Sequence, residues 1–242
     1  MQVLRACLRT FASWAKVRVT LGAEIFIVGL AFQPAWSEET DTPLSTEQLG
    51  VLLFVDQGRS FGYQTMMARI QLDTVRAQLE RDRKILEQNQ DLFEKNAIPP
   101  IELEISQLKD AWNRKQLIVA EKSLDYVSAE YEAMTQMARF FGGESVTAEE
   151  LYGTFRRGWD AGCDKGPDEV VAMQAWAAYA EKALERARQL NSRGSLPFST
   201  VLAREADLEI ARSNYRNREA GLEKCRTVLF PSLDEILAVG AQ

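Results

Sequence analysis

The chain has 242 residues, 46% of them hydrophobic and 26% charged, a net charge of −6 and no histidine. Those proportions fit one or two folded domains with well-solvated surfaces. The missing histidine removes the commonest general base and metal ligand, and the acidic balance disfavours nucleic acid as a partner.

The first segment, 1–37, reads as a signal peptide. Arg5, Arg9, Lys16 and Arg18 precede the apolar run VTLGAEIFIVGLAF, and Ala35-Trp36-Ser37 places small residues at the −3 and −1 positions of a cleavage site. The chain is therefore expected to be exported and periplasmic; an uncleaved leader holding it at a membrane is the alternative. The leader carries +3 of the charge, leaving −9 for the remainder. Cys7 goes with the leader, so Cys163 and Cys225 remain, and an even pair in an exported chain is a candidate disulfide.

A first helical hairpin is expected over 38–141. Ser45 and Gln48 fit a capping box that starts its ascending arm, and Gly58 and Gly62 suggest a kink or break early in that arm. Leu72, Val75, Leu79, Leu86 and Phe93 then recur at steps of three and four, with Asp82 and Asn89 as polar members. In EKNAIPPIELEI, Asn96, Ile98 and Pro99 mark a hairpin tip. The descending arm carries Ile101, Ile105, Leu108 and Trp112, shifts phase, and resumes from Leu117 to Phe141, where Gly142-Gly143 stops it.

Residues 142–169, with Gly153, Gly158, Gly162, Gly166 and Pro167, read as a Gly-rich connector containing one short helix near TAEELYGTF. A second hairpin and C-terminal tail follow over 170–242. Met173, Trp176, Ala180, Ala183, Ala187 and Leu190 line its ascending arm, and Leu208, Ala211, Tyr215, Leu222, Cys225 and Leu229 its descending one. No stretch shows sustained two-residue alternation, so the expected fold is all-α, two tandem antiparallel hairpins with essentially no sheet. At about 1.5 Å per residue, Cys225 returns close to the level of Cys163, which makes a disulfide between them reasonable; a buried free thiol is the alternative.

The two turns superimpose at a shift of 98 residues, matching Leu92 with Leu190, Asn96 with Gly194, Ile98 with Leu196, and Pro99 with Pro197. Asn or Gly supplies the left-handed residue that ends a helix, the aliphatic residue folds back on the last turn, and proline opens the next helix. The stretch GSLPFSTVLAREADLEIARSNY, Gly194 to Tyr215, resembles the helical repeat of TolC-type outer-membrane efflux factors. Gly194, Leu196, Val201, Leu202, Leu208 and Ala211 match it, while Pro197, Thr200 and Arg204 depart from it. NAIPPIELE, Asn96 to Glu104, is similar to the hairpin tip of HlyD-type periplasmic adaptors, in which an arginine and a leucine upstream of a tip serine dock onto the efflux duct. Arg186, Leu190 and Pro197 occupy that spacing in the second hairpin, and Gln88, Leu92 and Pro99 in the first.

The resemblance implies a non-enzymatic protein of envelope efflux or secretion systems that meets a duct or an inner-membrane transporter through its hairpin tips. A free-standing periplasmic scaffold or chaperone is the rival reading. No catalytic or metal-binding motif or cofactor is expected, and Trp112, Trp159, Trp176, Tyr131 and Tyr215 read as core aromatics. Hairpins stacked side by side would make a monomeric bundle; hairpins extending apart would favour a homo-oligomer.

Overall fold

The computed structural model describes residues 44–239, so the leader and its cleavage site lie outside the described residues. The described residues are helical with no strand, and they form α1 (Thr46–Glu94), α2 (Pro100–Phe141), α3 (Ala148–Ser192), α4 (Phe198–Thr227) and α5 (Leu233–Val239). Residues 50–229 make one compact unit, and the described residues 44–49 and 230–239 belong to a second.

In the second unit, Ser45 and Gln48 form the expected capping box. The Ser45 backbone N–H donates to Gln48 Oε1 at 2.8 Å, and the Gln48 N–H donates to Ser45 Oγ at 3.2 Å. Ser232 and Glu235 repeat that exchange at the start of α5.

The large unit is a series of antiparallel pairings. α1 runs back along α2, as Asp82 bonding Asn113 and Arg76 bonding Glu121 show. α2 runs back along α3, with Glu102 facing Arg186, Trp112 facing Trp176, Lys122 facing Asp168, and Glu132 facing Arg157. α3 runs back along α4 through Arg188 with Glu205 and Cys163 with Cys225. The seams read from the sequence supply most of the core, with Leu184 and Val201 added to them: Leu72, Val75 and Ala120 are buried together with Leu117 and Leu124 against them. Ala180, Leu184, Ala187, Val201, Leu208 and Ala211 form the corresponding cluster between α3 and α4, with Trp176 and Leu196 packed on it.

Three expectations change. α1 passes Gly58 and Gly62 without a break; these glycines instead let α2 come close, since a Cβ on Gly62 would stand 3.4 Å from the Tyr131 ring and one on Gly58 3.8 Å from Met134 Cβ. Leu229 is not a seam residue but 84% exposed, because α4 ends at Thr227.

The third is the largest. The 142–169 connector is a short turn followed by the first half of a 45-residue helix. Gly142-Gly143 does end α2, with Gly143 at φ 83°, and Thr147 and Glu150 then cap α3 reciprocally at 2.9 and 3.1 Å. Gly158, Gly162 and Gly166 recur every four residues, which is one helix face. A Cβ there would meet Glu130 Oε1 at 2.8 Å, Tyr126 Cε2 at 3.1 Å and Leu222 Cδ1 at 3.2 Å respectively. Bulky side chains of the neighbouring helices occupy the space the glycines leave.

Pro167 lies inside α3. Without an N–H it leaves the Cys163 carbonyl unbonded in the helix ladder, a change that costs roughly 3 kcal/mol in a helix interior. Tertiary contacts hold this turn: Lys122 reaches Asp164 at 2.8 Å and Asp168 at 2.7 Å, Arg218 of α4 reaches Glu169 at 3.1 Å, and Cys163 is bonded to Cys225 with a Cα–Cα distance of 5.6 Å.

Candidate partner-binding end of the hairpins

Because α2 and α3 are antiparallel, the tip between α1 and α2 and the tip between α3 and α4 emerge at the same end of the large unit. Their backbones follow one plan. In the first tip Asn96 has φ 55°, Ala97 N–H donates to the Leu92 carbonyl at 2.8 Å and Asn96 N–H to Phe93 at 2.9 Å. In the second Gly194 has φ 69°, Ser195 N–H donates to Leu190 at 2.9 Å and Gly194 N–H to Asn191 at 2.8 Å. Each left-handed residue closes one helix, and an extended proline, Pro99 at φ −74° and Pro197 at φ −63°, leads into the next. The second tip has one bond more, from Asn191 Nδ2 to the Leu196 carbonyl at 2.7 Å.

The eight tip residues singled out from the sequence divide by exposure. Asn96, Pro99, Gly194 and Pro197 are exposed. Ile98, Leu190 and Leu196 are half-buried, Leu196 against the α3–α4 core, so they serve the turns.

Arg186 is the main correction. Its side chain is only 17% exposed and Nε donates to Glu102 Oε1 on α2 at 2.6 Å. Next to it Lys182 joins Glu104 at 3.2 Å and Glu185 at 2.7 Å, and those hydrogen bonds, Glu185 first, raise the ammonium pKa. The arginine whose spacing suggests docking thus ties the two hairpins together. The apolar surface at this end comes instead from Phe198 and Leu202 in the first turns of α4, 60% and 50% exposed, and from Phe93 at the end of α1, which the seam spacing places inside but which is 37% exposed. Phe198 is the one with no role in the seams or the repeat, and its signal is a large apolar side chain immediately after the tip proline.

Among the described residues no group of three or more His, Cys, Asp or Glu side chains is placed to hold a metal ion, and no helix is long and apolar enough to cross a membrane. An open groove between α3 and α4 is floored by Leu184 and Leu208, and its arginines are already paired, Arg188 with Glu205 at 2.8 Å and Arg212 with Glu209 at 3.1 Å. Trp112 stacks on both Trp176 and Tyr179 at centroid distances of 5.8 and 5.7 Å, so these aromatics fill the α2–α3 interface.

No protein-family model, curated protein or solved structure matches the chain.

Proposed function

We propose that the chain is an exported, non-enzymatic helical-hairpin protein that acts by protein–protein contact through its paired tips, as a component or relative of an envelope efflux or secretion system. The observation that carries this reading is the arrangement of the tips. Two turns of one backbone design stand side by side, braced by Arg186 and Glu102, and present Phe198, Leu202 and the tip prolines to a partner. Large exposed apolar side chains on a rigid, pre-formed end are what a protein-binding surface requires, since little ordering entropy is lost on docking.

The test is capture from envelope extracts with the chain as bait. Recovery of an efflux duct or inner-membrane transporter, lost on Phe198→Asp with Leu202→Asp, is the expected result. Recovery of only assorted unfolded proteins, insensitive to that pair, would favour the chaperone instead. Arg186→Asp is unsuitable as the first probe because it also breaks the brace.

A further inference from the structure

α1 has two apolar faces, and the packing with α2 accounts for one of them. Gly58, Leu72, Val75 and Asp82 are buried toward α2. On the opposite side Leu52, Val55, Tyr63, Met66, Met67 and Ile70 are 44–60% exposed. Within the stripe the only charged pair is Arg59 with Asp56, at 2.6 Å and largely solvated. At 100° per residue these apolar positions and Arg59 fall within roughly 120° of the helix circumference.

The pattern has a symmetry that a face meeting an unrelated protein does not need. Positions 52, 55, 59, 63, 67 and 70 are spaced 3, 4, 4, 4 and 3 residues apart, the same in both directions about Phe61, while Met66 of the same stripe falls opposite Asp56. A helix laid antiparallel on a copy of itself across a two-fold axis at that level would set Leu52 against Ile70, Val55 against Met67, and Arg59 against the face of Tyr63. The first two contacts are apolar and the third places a guanidinium on an aromatic ring. A closed two-fold contact requires this self-complementarity, because residue i must meet j wherever j meets i.

The area fits as well. At on the order of 100 Å² of exposed surface for each half-exposed large side chain, six of them present roughly 600 Å² per copy and about 1,200 Å² for a pair, at the lower edge of stable interfaces. Roughly 600 Å² is the upper end of the largest apolar patch a monomer ordinarily exposes, a size that often marks a binding surface.

We infer that the outer face of α1 between Leu52 and Ile70 is an isologous dimer interface, whose occupant is the same face of a second copy of this chain packed antiparallel. The inference is independent of the tip reading, since the stripe lies on the part of α1 remote from the tips, and loss of tip-dependent capture would leave it untouched.

Sedimentation equilibrium of the disulfide-bonded chain at tens of micromolar tests it. A dimer is expected, with Met66→Glu plus Ile70→Glu raising its Kd at least about tenfold while the helical circular dichroism stays unchanged, because both side chains are exposed. The register is tested by oxidative cross-linking. Val55→Cys with Met67→Cys should give a covalent dimer, whereas Val55→Cys alone should not, as its own copies lie about 18 Å apart along the axis. A chain that remains monomeric, a dimer indifferent to the glutamates, a cross-link from Val55→Cys alone, or capture of a different protein by this face in place of a second copy would each overturn the inference.

Discussion

Arg186 of α3 and Glu102 of α2 meet at 2.6 Å within about two turns of the tips, joining helices from different hairpins. Both side chains are at least partly shielded, so their coupling should exceed that of a fully solvated pair and reach about 1 kcal/mol. A double-mutant cycle with Glu102→Gln and Arg186→Gln in urea denaturation measures it. Because the bridge joins the helices that carry the two tips, the proposed function predicts that Glu102→Gln weakens partner capture while leaving Phe198 and Leu202 intact, and a capture unchanged by it would mean that the two tips act separately.

The disulfide closes a loop of 62 residues beside Pro167. Removing it by Cys163→Ser with Cys225→Ser should lower stability by about 2–4 kcal/mol. The loss should be local before it is global: amide exchange should rise first around residues 163–169 of α3 and in the last turns of α4, where the missing proline hydrogen bond leaves the disulfide and the Lys122, Arg218 ion pairs as the main restraints. Uniform acceleration along all four helices would contradict this.

Two carboxylates give the pH profile opposite slopes. Glu130 lies in the notch over Gly158, and burial raises its pKa above the ordinary carboxylate value. Its folded form therefore holds a proton more tightly than the unfolded chain, so stability should increase as pH falls from neutral through the raised pKa toward the ordinary glutamate value. Asp82 is 4% exposed; burial pushes its pKa up, but hydrogen bonds from Arg81, Asn113 and Lys109 outweigh that and lower it overall. Its contribution is present above the ordinary aspartate range and disappears as pH falls below that range through the depressed pKa. Urea midpoints across pH 3–7 check both: Glu130→Gln should be more stable than the parent at pH 7, with the gap closing near pH 4.5, and should keep the acid-side fall that Asp82 causes.

What could be read from the residues was the pairing seams. Leu72, Val75 and Asp82, and Ala180, Ala187, Leu208 and Ala211, sit where three-and-four spacing puts them, because each of these stripes packs against a single neighbour, α1 on α2 and α3 on α4. The contact between α2 and α3 is harder to read, because the α2 side of it is built from Trp112, Lys122, Tyr126 and Glu130, a mixture that does not make an apolar stripe. Local propensity alone turns the glycines and proline of 142–169 into a connector, whereas in the fold Gly158, Gly162 and Gly166 are fixed by what packs into them and Pro167 by its restraints. At the tips the turn chemistry was fully legible, but whether Arg186 was free depended on Glu102, 84 residues away in sequence.

The same contrast separates glycines that matter from glycines that do not. Gly153 of α3 and Gly221 of α4 are helical, and a Cβ on either would meet nothing within 4 Å. Alanine at either position should therefore stabilise by about 0.5–1 kcal/mol through reduced freedom of the unfolded chain and better helix propensity. Gly162→Leu should instead destabilise by about 1–3 kcal/mol, because its Cβ already stands 3.1 Å from the Tyr126 ring and the added carbons would force α2 and α3 apart. Gly194→Ala carries a backbone penalty in place of a steric one, about 1 kcal/mol for a left-handed residue with open space around it. Asn96→Gly, at the equivalent left-handed position of the first tip, should be neutral or slightly stabilising. Thermal denaturation of the five variants ranks them, and a Gly162→Leu chain as stable as Gly153→Ala would show that the close approach of α2 to α3 is not what the glycine spacing serves.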